Sequence, residues 1–475
     1  MTSKKKTLYI EIGFCVLVFV LLLVWMGVQP FETSPDEAMR YDVIKFMFNH
    51  GTLPHGGEAE IRNEIWGISY AFHPYLSGIL SAVFMKITSI FTTDSTALLW
   101  AARMVNVFLG VGTTFLSLRI GKRLFSGGAR WLFTALVSLL PGAFFLFTYL
   151  NNDGLAIFTT ALIILMWARS MQDGWSLKTC IGLAIGISLC ALAYYNAYGI
   201  ILCSIIFFVT TVLMCREKKF DWQFLLSRGA IITGIILVLA GWWFVRTYII
   251  YDGDFLGMKI SDSYAQQHAI EALKPSNRAT MQSTGRSIID MFFYVHEGWR
   301  HNWVVTVVTS FIGMFGYMAI DMPFTLTKVY VAFLGTGLIG ILLGAQAGFF
   351  NLRRETIGQR IEPSENGKII TRTIRQNKLW RKENIFRWCM LIAVVIPTVL
   401  LVYYSYTSDL QAQGRYLMSA LIPLMYLVVW GYQKLLERFV KNTKIREIFY
   451  IGAALLLLVG LIYTTVAVFI PGYIG

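Results

Sequence analysis

Charge is scarce in this chain of 475 residues: only 14% are Asp, Glu, Lys or Arg, and acids are outnumbered by bases, 27 to 41. Histidine and cysteine are rarer still, six of each. The histidines, His50, His55, His73, His268, His296 and His301, form no HExxH, which argues against a dedicated metal cage. Cys15, Cys180, Cys190, Cys203, Cys215 and Cys389 are scattered in or beside apolar segments without CxxC spacing, so neither a zinc site nor a disulfide framework is expected. Repeats and low-complexity tracts are absent.

Apolar residues fill the space that charge leaves. Hydrophobic side chains make up 56% of the chain and aromatic ones 15%, with a mean hydropathy of +0.59. Such a composition describes an integral membrane protein rather than a large soluble core. The formal net charge of +14 would suit nucleic acid, but the bases cluster in short loops between apolar runs, as orientation signals do, and no nucleic-acid partner is expected. MTSKKK followed by the apolar run 7–29 mimics a signal peptide. The run is long enough to span and lacks a small-residue cleavage pattern, so it reads as an uncleaved first helix.

With residues 1–6 in the cytoplasm, spans fall near 7–29, 96–118, 130–150, 154–170, 178–195, 197–214, 228–249, 325–349, 386–405, 415–433 and 447–470. The reading is thus an all-α, polytopic protein of about eleven spans forming one transmembrane domain over 1–475. Residues 73–92 are apolar enough to span, but that would put the basic GKRLFSGGAR (121–130) outside. They read instead as helix at the outer surface, with a re-entrant hairpin or a true span as the alternatives. A first outer loop then covers 30–95, a large outer loop 250–324, and a basic cytoplasmic loop 352–385.

The first outer loop opens with FETSPDEAMRYD (31–42). Ser34, Pro35 and Glu37 fit a helix start, with Ser34 as cap and Glu37 reaching back to its amide. That box occupies Glu37 and leaves Asp36 free. Asp153, in the short loop Asn151-Asn152-Asp153-Gly154, lies on the same side in this threading, as do Arg246 and Arg415. Ionisable groups at such depths are costly unless they face a cavity or a partner. A lipid-borne phosphate at this level would need arginines for its oxygens, and a glycosyl transfer from it would need a carboxylate to take the attacking hydroxyl's proton. Asp36 could supply the carboxylate; Arg246 and Arg415, with His73, Arg300 or His301, could supply the cations. Plainer readings stand beside these: Arg246 and Arg415 as snorkelling anchors, Asn152 and Asp153 as a helix cap, His73-Pro74 as a helix start and His296 to His301 as a solvated loop.

SPDEAMRY (34–41), LNNDGLA (150–156), VRTYIIYDGDFLG (245–257), TSFIGMFGYM (309–318) and QGRYLMSALIPL (413–424), in this order and spacing, resemble the GT-C class of membrane glycosyltransferases. That class includes the protein O-mannosyltransferases and the bacterial lipid A aminoarabinose transferases; the closer likeness is to a poorly characterised bacterial group. The resemblance implies interfacial helices in the first outer loop and a polyprenyl-phosphate-linked sugar as donor. It also implies action on the outer face of a bacterial plasma membrane. Asp36 would be the catalytic base, flanked by Glu37, with Asp153 as the second acid; Arg415 is assigned as a phosphate ligand from its own chemistry and not from the resemblance. Asn152, Tyr41, Gln413 and Tyr416 complete the expected substrate contacts. The expected acceptor is a hydroxyl of a cell-surface glycan, teichoic acid or lipid. Two departures, the lack of a DxD in the first loop and of the large soluble C-terminal domain that oligosaccharyltransferases carry, leave metal dependence and a protein acceptor open. A polymerase or ligase using a diphosphate-linked oligosaccharide, and a flippase or other transporter, are the alternatives.

Overall fold

A computed structural model describes residues 3–214, 221–350, 354–363, 369–377 and 380–474; Cys215 and parts of 352–385 lie outside the described residues. The chain begins with α1 (Ser3–Val28), followed by α2 (Glu37–His50), α3 (Leu76–Thr88) and α4 (Ser95–Leu124). Next come α5 (Ala129–Ser138), α6 (Pro141–Leu146), α7 (Asp153–Asp173), α8 (Leu177–Ala191), α9 (Tyr198–Leu213), α10 (Trp222–Leu239) and α11 (Gly241–Ile250). The large loop holds α12 (Met258–His268), α13 (Ile288–Phe293), α14 (Trp303–Gly313) and a small antiparallel hairpin, β1 (Met314–Phe315) with β2 (Ile320–Asp321). The chain then runs through α15 (Phe324–Gly348), the antiparallel pair β3 (Arg354–Pro363) and β4 (Ile369–Asn377), and α16 (Lys382–Thr407). A 3-10 turn (Gly414–Ala420) leads into α17 (Leu421–Phe439), then α18 (Thr443–Thr464) and α19 (Ile470–Ile474).

The architecture is all-α and polytopic. Nine helices among the described residues are long and apolar enough to cross a membrane, against the expected eleven or so segments. The difference lies in two places. Segment 130–150 is broken, because Pro141 removes a backbone donor and holds Leu140 extended, so α5 stops and the short α6 starts afresh. Segment 178–195 is the 15-residue α8, which ends at Ala191 before the tyrosine run. Helix α3 has 13 residues, about 20 Å of helix, shorter than a hydrocarbon core of about 30 Å. Segment 352–385 is not loop throughout: β3, β4 and the start of α16 fall within it.

One apolar core joins most of the bundle, with Trp25, Trp167, Phe144 and Phe207 fully buried in it. The Trp25 indole donates to Thr465 Oγ1 at 2.8 Å, tying α1 to the π-helical turn between α18 and α19, whereas the buried Trp167 indole has no partner among the described residues. Two glycines set the closest helix contact. A Cβ on Gly431 of α17 would stand 1.8 Å from the Gly337 carbonyl of α15, so these helices meet backbone to backbone.

Candidate active site

The site starts from a buried arginine inside α4. Arg103 donates through Nη1 to the Gln29 carbonyl at 2.7 Å and through Nη2 to that of Pro30 at 3.2 Å, satisfying acceptors where α1 has ended. It also binds Glu37 with both edges of its fork, Nε to Oε1 at 2.8 Å and Nη2 to Oε2 at 2.7 Å. Glu37 Oε1 further accepts from the Leu150 amide at 3.2 Å. Both side chains are 1% exposed or less. The predicted capping box is therefore absent: α2 is preceded by Asp36, which makes no side-chain cap, and Glu37 turns inward to hold α4 and the second loop. An acid needed to compensate Arg103 is not available to reach back to the Ser34 amide.

That arrangement leaves Asp36 in a left-handed conformation, φ 63°, sparsely populated for residues with a Cβ and typical of functional positions. Its Oδ2 pairs with Arg415 Nη2 at 2.5 Å. Arg415 reaches it because the preceding residue is glycine: a Cβ on Gly414 would lie 2.2 Å from the Phe311 amide nitrogen, and the Gly414 amide donates to Ser310 Oγ at 2.7 Å. Burial alone would push the Asp36 carboxyl up, but Arg415, Arg40 and a hydrogen bond from Tyr70 hold it below the usual carboxylate range. Asp36 is therefore ionised at neutral pH.

Asp153 opens α7 and is buried; Arg415, Arg40 and Asp36 all act on it electrostatically. Its neighbours perform the structural work. The Asn151 side chain accepts from the Gly154 amide at 3.0 Å, while Asn152 donates to the Pro74 carbonyl at 3.0 Å and accepts from Ser77 at 2.7 Å. Asn152 thus fastens the second loop to the start of α3, although it also lines a cavity shared with Arg40 and Tyr70.

Arg40, Tyr70 and Arg103 were not anticipated. Arg40 lies one turn after Asp36, packs its guanidinium 4.1 Å from the Tyr70 ring centre, and keeps a buried Nε with no hydrogen-bond partner among the described residues. The i, i+4 spacing after Asp36 was the available signal. For Arg103 the signal was a charge inside an apolar span.

Tyr41, next to Arg40 on α2, points elsewhere and packs edge-on against Phe31. Gln413 lines a second cavity together with Arg415, Tyr149 and Ser310, and the Tyr416 hydroxyl accepts from Arg415 Nη2 at 3.2 Å. His73 stands beside Arg40, its ring against Tyr195 and its Nδ1 buried without a partner among the described residues. Arg246 is held at the first loop, donating to the Pro54 carbonyl at 2.6 Å with its guanidinium over Trp243; it is not among the groups acting on Asp36. Arg300 pairs with Asp321, and His301 stacks on Phe324 at 5.7 Å. These last three are not brought to Asp36 by any contact among the described residues. Nor do three or more His, Cys, Asp or Glu side chains among them gather in a way that could hold a metal ion.

Burial, aided by Arg40, lowers the His73 pKa from 6.5 to about 4. Between those values the unfolded chain binds a proton that the folded one does not, so His73 contributes stability above pH 6.5 that is lost as pH falls towards 4. His73→Gln should flatten the decline in melting temperature over that interval. A decline equally steep in wild type and variant would exclude His73 as its source.

The same bundle recurs in solved structures. The apo oligosaccharyltransferase of Archaeoglobus fulgidus aligns with a TM-score of 0.54 at 12% identity, over 98% of this chain and 56% of its own. The archaeal oligosaccharyltransferase AglB of the same organism, in complex with an inhibitory peptide and a dolichol-phosphate, aligns with 0.50 at 12%, over 97% and 56%. ArnT from Cupriavidus metallidurans, bound to undecaprenyl phosphate, aligns with 0.51 at 13% identity, over 97% of this chain and 74% of that one. The chain spans little more than half the length of the archaeal enzymes. At such identities the likeness establishes the fold, which is that of the GT-C membrane glycosyltransferases. No curated protein matches by sequence. Residues 64–428 match the family described as predicted membrane protein (DUF2142), and this GT-C-fold chain belongs to that family.

Proposed function

We propose that the protein is a glycosyltransferase moving a sugar from a polyprenyl-phosphate carrier to a hydroxyl of a cell-surface glycan, teichoic acid or lipid, on the outer face of a bacterial plasma membrane. The carrying observation is the meeting of Asp36, Asp153, Arg415 and Arg40, contributed by three well-separated stretches of chain, beside two cavities. Asp36 takes the acceptor's hydroxyl proton as that oxygen attacks the anomeric carbon from the face opposite the phosphate, giving inversion. Arg415 and Arg40 hold the departing phosphate. Asp153 balances the two cations. The fold supports this reading, as do the undecaprenyl phosphate and dolichol-phosphate bound to chains of similar fold.

A diphosphate leaving group would draw on Lys259, Lys274, Arg278, Arg286 and Arg300 of the large loop; Lys274 pairs with Glu271 and Arg300 with Asp321, while Arg278 keeps a buried Nε without a hydrogen-bond partner among the described residues. The deciding experiment presents purified protein with a panel of polyprenyl-phosphate sugars and envelope extract, and measures release of polyprenyl phosphate. Release from one donor is expected and names the sugar; no release from any donor by folded protein would overturn the reading.

A further inference from the structure

The ion pair at the centre of the site occupies both groups that the reaction needs. A carboxylate held by a guanidinium is a poor proton acceptor, and a guanidinium engaged by a carboxylate offers fewer donors to a phosphate. Glu37–Arg103, whose side chains are almost wholly buried, offers a comparison. Glu37–Arg103 is sealed, with both ends of the fork matched and further acceptors satisfied. Asp36–Arg415 is joined through Nη2 alone, its side chains remain 25% and 11% exposed, and Arg415 Nε is buried without a partner among the described residues. Arg415 also lines a cavity with Gln413 and Tyr149. The first pair is built to stay closed, whereas the second retains an unmatched donor, Nε, and an open side.

We infer that the donor's phosphate competes with Asp36 for Arg415, so that binding the lipid-linked phosphate is what frees Asp36 to act as base. This rests on the glycosyltransferase reading above. The other groups facing Asp36 are Arg40 of α2, Tyr70 of the first loop, Tyr149 and Asp153 of the second loop, Tyr416 beside Arg415, and Tyr317 of the β1–β2 turn. Arg40 remains to hold the phosphate when Arg415 changes partner. During transfer the acceptor proton passes to an Asp36 carboxylate oxygen and the acceptor oxygen bonds to the anomeric carbon. The bond from that carbon to the phosphate oxygen breaks, its electron pair leaving with the phosphate. Arg415 is here a positioning residue for the base as well as a ligand of the leaving group.

The test is a double-mutant cycle on the affinity of the full chain in nanodiscs for a short-chain polyprenyl phosphate. Asp36→Asn removes the competitor and should bind about tenfold more tightly than wild type, whereas Arg415→Gln should bind about tenfold more weakly. In the double variant the tightening should vanish, because no Arg415 is left to be released. Tightening that persists in the Arg415→Gln background would reduce the effect to repulsion between two anions and overturn the inference. So would unchanged affinity in Asp36→Asn. Wild type that binds no polyprenyl phosphate at all would instead remove the glycosyltransferase reading, and the inference with it. Should Arg415→Gln not fold, Arg415→Met enters the same cycle, since it too removes the charge that Asp36 and the phosphate compete for.

Discussion

Asp36→Asn will cut sugar transfer by about 10²–10⁴-fold, the range expected for loss of a general base, and will leave the protein folded. The second half of that expectation follows from the backbone. Asp36 occupies the left-handed region, which Asn tolerates as well as Asp and which most other residues would enter only with strain. Asn also preserves the side-chain volume against Tyr70 and Arg415. A drop in activity therefore reports the missing proton acceptor and not a disturbed loop. Matched amounts of wild type and variant, compared by polyprenyl phosphate release and by melting temperature, decide the matter. Near-normal turnover in the variant would move the base elsewhere, with Asp153 the next residue to test.

Arg103→Ala is expected to be the most destabilising single change near the site. It strands Glu37 in the interior without a counter-ion, a situation that costs about 3–5 kcal/mol, and it strips the donors from the carbonyls that close α1. Glu37→Gln should cost less, because the amide oxygen still accepts from one edge of the guanidinium. Thermal unfolding in detergent, read alongside recovery of monodisperse protein, gives the order of the two. If Arg103→Ala melted like wild type, the pair would not be what fixes the first and second loops together. Activity should follow stability in both variants, with no change in the acid limb of the pH profile, which separates this buried pair from Asp36–Arg415.

How much of this could be read from the residues depends on the distance over which each feature is determined. Span length and the placement of Asp36, Asp153 and Arg415 at helix ends were legible because hydropathy is a local property. The broken segment at Pro141 escaped because its apolar content is continuous even though its backbone is not. The capping box failed for a long-range reason: Ser34 and Glu37 have the right spacing, but Glu37 is claimed by an arginine 66 positions away. Sequence-level pairing of arginines with the site had the same weakness. Arg246, Arg300 and His301 lie in plausible loops, yet the fold gives each a neighbour of its own, while Arg40, within the very motif that drew attention, faces Asp36.

The glycine contact between α15 and α17 carries a consequence for distant mutations. Helix α17 continues from the turn that bears Arg415, so the vertical position of that guanidinium is inherited from wherever α17 seats. At Gly431 the seat is bare backbone on bare backbone, with no flexible side chain to absorb an added methyl. An alanine there must lift the whole helix, and Arg415 would travel with it like the tip of a lever. Inactive variants can thus arise in the middle of the membrane, far from every reacting atom, in proteins whose site residues are all intact.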